Sequence, residues 1–127
     1  MNWWQSVSIM PEVAKHLLAA RNACLEIKTF TAGATGESIW TDRFLQLALQ
    51  KLMEIVGAAL DAASAYDPGI SVAIPDLRQY VDLQHRLFHD YDAIDYPALL
   101  AIATERIPVL RQTLDALLQG GSPENPG

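Results

Sequence analysis

A chain of 127 residues is long enough for one domain with a real core and too short for two of ordinary size. Half of it is hydrophobic but only 8% is aromatic, Ala and Leu dominate, and β-branched runs are missing, which points to helices packed on helices and away from sheets. The net charge of −6 excludes broad, non-specific nucleic-acid binding, though not a small local basic site, and the lone Cys24 excludes an internal disulfide.

Residues 1–10 read as a leader whose Trp3 and Trp4 need something to cover them. The N-terminus has neither the basic region nor the apolar core of a signal peptide, and no apolar run reaches the length of a membrane span. A soluble, cytoplasmic protein is expected. Pro11 suits the first turn of a helix, and Val13, Leu17, Ala20, Cys24, Ile27 and Phe30 follow at three- and four-residue steps. That predicts one helix face running to about Thr29, with Cys24 as packing. Gly33 and Gly36 then break the pattern.

The next helix starts near Glu37 or Thr41 and ends around Tyr66. Leu45, Ala48, Leu52, Ile55, Ala59 and Ala62 form one stripe, with Leu49, Met53, Val56 and Leu60 as a second beside it. A helix apolar on so much of its circumference should be central. Gly57 inside it costs about 1 kcal/mol relative to Ala, which a close helix–helix crossing would explain. Asp67-Pro68-Gly69 ends this helix, and Ile70–Ile74 reads as a loop. One helix, whole or broken, follows from about Pro75 to His89, with Asp76 or Asp82 as its cap. Asp95 caps the last helix, with Pro97 in its first turn. Its buried face is Leu99, Ile102, Ala103, Ile107, Leu110, Leu114 and Leu117; Pro108 should kink it without ending it, because the apolar period resumes beyond. Gly120 and Gly121 stop it. Residues 120–127 are expected to be a disordered tail after a single helical domain over 11–119.

The chemistry is concentrated between Leu83 and Tyr91, which hold two of the three histidines. On a helix, His85 and His89 share a face, and Arg86 is three residues from His89. Leu83, Leu87 and Phe88 would fix that face against the core. Imidazole, guanidinium and phenol together suit chemistry at a phosphate. The same spacing also occurs in half-buried helices with nothing but a polar rim. A metal is the other use for two histidines at i and i+4, but residue 86 is Arg where a metalloprotease motif has Glu, and its charge opposes a cation. No metal or cofactor is expected.

Three blocks in this order resemble the HepT-like branch of the HEPN superfamily, over roughly residues 11–118. Leu49–Ala59 resembles the central-helix run often close to "EIIGEA"; Pro75–Tyr91, ending His89-Asp90-Tyr91, resembles "RN-x-x-x-H-x-Y"; Ala93–Asp95 through Ile107-Pro108-Val109-Leu110 resembles "VD … LP-x-L". Thr31-Ala32-Gly33 also matches a "TAG" of the family. The resemblance implies an all-α, HEPN-like bundle of four long or broken helices. It also implies a homodimer, a minimal nucleotidyltransferase as antitoxin partner, and metal-independent RNA cleavage at a site formed across the dimer. His89 would be the general base, and Tyr91 the residue that a partner transferase adenylylates.

Two departures stand against the family's pattern. The motif arginine and asparagine fall on Gln84 and His85, and the acidic residue after the central glycine is Ala58. Gln84 donates hydrogen bonds but brings no charge to phosphoryl oxygens. Arg86 lies about 200° further round the helix and does not take that place directly. Two functions from different classes therefore stand open: a ribonuclease toxin, weakened or rerouted through His85, His89 and Arg86, and a non-catalytic dimerisation and partner-binding module.

Overall fold

The computed structural model describes residues 10–120, so the leader with Trp3 and Trp4, and the tail beyond Gly120, lie outside the described residues. Everything regular in it is helical. Helix α1 spans Pro11–Thr31, with Pro11 in its first turn. Val13, Leu17, Ala20, Cys24 and Ile27 are buried as their spacing requires. Phe30 is not: it is 51% exposed, and Thr31 takes the last buried position. The 4-3-4-3 rhythm from Val13 lands on residue 31 and leaves 30 off-phase. The Thr31 hydroxyl is satisfied by donating to the Ile27 carbonyl at 2.7 Å.

Gly33, at φ +78°, turns the chain out of α1 in the left-handed conformation that glycine alone adopts without strain. A short 3-10 turn, Ser38–Trp40, buries Ile39 completely. Helix α2, Arg43–Tyr66, starts after Asp42, whose carboxylate accepts the Leu45 N–H at 3.0 Å. It is the central element, packed along α1 and α4 and touching α5. Leu49, Met53, Val56 and Leu60 are its innermost row, while Ala48 and Ile55 of the neighbouring stripe are only half-buried.

Ile70–Ala73, expected as a loop, closes instead into one helical turn, α3, with Ile70 fully buried. The Asp67 carboxylate accepts the Gly69 N–H at 2.9 Å and sets up that turn. Helix α4 spans Leu77–His89. Asp76 precedes it without capping it, because its carboxylate is engaged by Arg106 at 2.6 Å. Asp82 lies inside the helix, exposed.

Asp95 caps α5, Tyr96–Glu105, by accepting the Ala98 N–H at 3.1 Å. Pro108 does more than kink the last helix. The chain breaks at Arg106, and a separate helix α6, Ile107–Leu118, begins with Pro108 in its first turn. Proline has no N–H to continue the ladder and disfavours helical geometry just before it, while suiting a new first turn. Helix α6 packs on α1, where Asp115 holds both Arg21 (2.9 Å) and Arg111 (2.7 Å). Gly120, at φ +79°, ends it. Among the described residues no helix is long and apolar enough to cross a membrane.

Candidate functional site

Helix α4 positions the histidine segment, and α2 positions α4. The two run side by side in opposite directions: Gln50 donates to the Leu87 carbonyl at 3.4 Å, and Gly57 faces Tyr80 and Gln84 further along. The crossing at Gly57 is tight. A Cβ there would fall 2.5 Å from the Gln84 Cβ and 2.6 Å from the Tyr80 carbonyl oxygen, which accounts for a glycine in mid-helix.

That crossing fixes the roll of α4. Leu83 and Leu87 are buried, and Gln84 is half-buried against α2. Its Oε1 is enclosed with no hydrogen-bond partner among the described residues. His85 and His89 follow on the exposed flank, neither engaged by a hydrogen bond or an ion pair among the described residues. The edge they share is therefore open to solvent.

Arg86 departs from the expected grouping. It turns toward α5, where it lines cavities of about 230 and 400 Å³ with Leu83 and Ile102, and neither histidine lines them. By helix geometry His85 and Arg86 lie about 100° apart. Phe88 corrects a second expectation. Instead of bracing the face against the core it is 67% exposed, with its ring edge-on to His89 at 5.3 Å. Among the described residues no third element covers this corner of the α2–α4 pair, and Leu47, one turn before Gln50 on α2, is 47% exposed as well. Phe44, one turn earlier again, is 89% exposed.

Tyr91 lies just beyond the end of α4, 68% exposed, between the exposed Asp90 and Asp92. Its hydroxyl has no hydrogen-bond partner among the described residues. Ala58, at the position after Gly57, is exposed on the adjoining face of α2. No group of three or more His, Cys, Asp or Glu side chains among the described residues is arranged to hold a metal ion. Cys24 is buried, and burial pushes its thiol up to about 12, so it is a packing residue with no thiolate at neutral pH.

One polar cluster escaped the sequence reading. Arg106, freed by the helix break, bridges to α4: its Nη2 reaches Asp76 at 2.6 Å and Gln79 at 2.7 Å, and its guanidinium lies 5.6 Å from the centre of the Tyr80 ring. Burial raises the Tyr80 phenol to about 12, against the opposing pull of Arg106. The signal available in sequence was the arginine directly before Ile107-Pro108 and the 76–79–80 spacing, which puts three partners on one turn.

Comparison with known families finds similarity to a family model described as ribonuclease HepT-like, over residues 20–117. No curated protein and no solved structure matches the chain.

Proposed function

The chain belongs to the HepT-like ribonuclease family, and from that premise we propose that it is the toxin-side member of a cytoplasmic toxin–antitoxin pair, with a minimal nucleotidyltransferase as its partner. It works as a homodimer whose His85–His89 edges approach one another. Its ribonuclease activity is slow because position 84 carries glutamine. The observation that carries this reading is the pairing of an open, unengaged histidine edge with an uncharged Gln84 held beside it at the Gly57 crossing.

Cleavage on this edge needs a base for the ribose 2′-hydroxyl and a cation for the charge that grows on the phosphoryl oxygens. His89 is the base, its ring nitrogens without a hydrogen-bond or ion-pair partner among the described residues. Arg86, turned into the α5 side, does not supply that cation, and Gln84 carries no charge. Loss of one such preorganised contact costs about 3–4 kcal/mol, roughly a hundred- to a thousand-fold in rate. In the rerouted alternative His85 would be the acid that protonates the leaving oxygen, with Arg86 as the clamp on the phosphate.

Three RNA cleavage measurements test the proposal. Wild type should cleave single-stranded RNA slowly, Gln84→Arg with His85→Asn should accelerate it by about a hundred-fold or more, and His89→Ala should abolish the gain. Brisk wild-type cleavage lost on His85→Ala or Arg86→Ala would move the site to those residues. No cleavage by either wild type or the double variant would favour the non-catalytic module. The unpartnered Oε1 of Gln84 and the turned-away Arg86 are the observations that support this second reading.

Tyr91 is the proposed site of adenylylation, being exposed at the end of α4 within reach of a partner's active site. Mass spectrometry after co-expression with a nucleotidyltransferase should find the adenylyl group on Tyr91 and not on Tyr66, which is 51% exposed on another face. An unmodified Tyr91 beside an active transferase would leave it a structural residue.

A further inference from the structure

Helix α4 is clasped by α2 on one side, but toward α5 and α6 it makes only a slight approach. Three cavities lie in that seam, of about 330, 400 and 230 Å³. They adjoin one another: Tyr80 and Arg106 line the first two, and Leu83, Arg86 and Ile102 line the second and third. The groove runs the length of α4, thirteen residues, or roughly 20 Å at the helical rise. That matches three to four turns of a second helix laid along it.

The floor is apolar, with Leu83, Ile102 and Leu110, and Val109 at its end is 62% exposed. The rim is acidic. Asp82, Asp90, Asp95 and Glu105 all line the seam, all are exposed, and none is in an ion pair among the described residues. Of the two cations there, Arg106 is already taken by Asp76 and Gln79, which leaves Arg86 alone against four carboxylates. A phosphate backbone would be repelled along such a rim. A segment with an apolar stripe flanked by Lys and Arg complements both floor and rim.

We infer that the seam between α4 and the α5–α6 pair is a docking groove for a cationic amphipathic helix of a partner protein. It lies on the α5 side of α4, toward which Arg86 turns, and does not depend on the ribonuclease reading. A partner seated there contacts the helix that carries the histidines and Tyr91 while leaving their edge open.

The probe is a synthetic Leu/Lys peptide of about 14 residues with helical spacing, long enough to fill the groove, and a Leu/Glu peptide of the same pattern as control. Binding is followed by fluorescence anisotropy, and the contact is mapped by amide chemical shifts. The Leu/Lys peptide should shift Leu83, Ile102 and Val109, and bind at least about ten-fold more tightly than the Leu/Glu peptide. Asp82→Lys with Glu105→Lys should remove about ten-fold of that affinity, and so should Ile102→Ser, with helical circular dichroism unchanged in each variant. The inference is overturned if shifts gather on the Phe44–Phe88 face or spread over the whole surface, or if the variants bind as wild type does. It is also overturned if a single-stranded RNA oligonucleotide shifts the seam in place of the peptide. Dissociation of an oligomer by Ile102→Ser would assign the groove to a second copy of the chain and equally overturn it.

Discussion

At the scale of single residues, Gly57 decides the most. Its missing Cβ lets the Gln84 Cβ and the Tyr80 carbonyl come to positions 2.5 and 2.6 Å from where a methyl would stand. Neither obstacle can swing aside, because one is a backbone atom and the other is bonded directly to the backbone. Gly57→Ala gains about 1 kcal/mol of helix propensity and meets overpacking that costs about 3 kcal/mol when whole helices must part. A net loss of about 2 kcal/mol is expected in urea unfolding, with the shifted α4 displacing the histidine edge. A neutral result would mean that α4 separates from α2 at little cost. Gln84 belongs to the same contact. It is half-buried there, with its Cβ against Gly57.

Among the elements, α5 and α6 show how a few side chains set a boundary. Asp95 stops the turn before α5 by accepting the Ala98 N–H, and Pro108 divides what the apolar period alone would continue as one helix. Asp95→Ala should cost about 1 kcal/mol, as capping deletions commonly do. Chemical denaturation should register it, with the amides of Tyr96–Ala98 losing hydrogen-exchange protection first. A loss within error would mean that packing of Tyr96 and Leu99 holds the first turn without the cap. The break at Arg106 has a further consequence for α4. The arginine it frees is the polar tie across the otherwise open seam, reaching Asp76 and Gln79 from the far side.

On the scale of the whole molecule, the buried side chains of α1, α2, α4, α5 and α6 form a continuous core, yet among the described residues one face of the α2–α4 pair is left uncovered. Phe44, Leu47 and Phe88 are 89%, 47% and 67% exposed at the same end of that pair. An apolar group of this kind on a small protein marks an association surface. A two-fold axis beside it would bring two histidine edges together. Light scattering at micromolar concentration should therefore give twice the mass of the chain, and Phe44→Glu with Phe88→Glu should give a monomer that keeps its helical circular dichroism. A wild-type monomer would count against the dimer.

Sequence by itself determined the helices and most of their buried faces. Heptad-like spacing in α1, two adjacent stripes in α2, the Asp95 cap and the glycine at the crossing are all local consequences of helix periodicity, capping and backbone freedom. The family blocks were legible for the same reason, since their order and spacing are properties of the chain. Only tertiary structure decided what depends on neighbours from distant parts of the sequence. Periodicity placed Phe88 and Arg86 on faces of α4, but not what would stand opposite them. Phe88 is exposed because none of the described elements covers that corner, and Arg86 turns from the histidines to the α5 side, where it lines a cleft. Likewise, proline chemistry foresaw a disturbance at Pro108, but not what the freed Arg106 would meet: Asp76, Gln79 and the Tyr80 ring receive it across the seam. Periodicity tells a side chain which way to face, and only the fold supplies what it meets there.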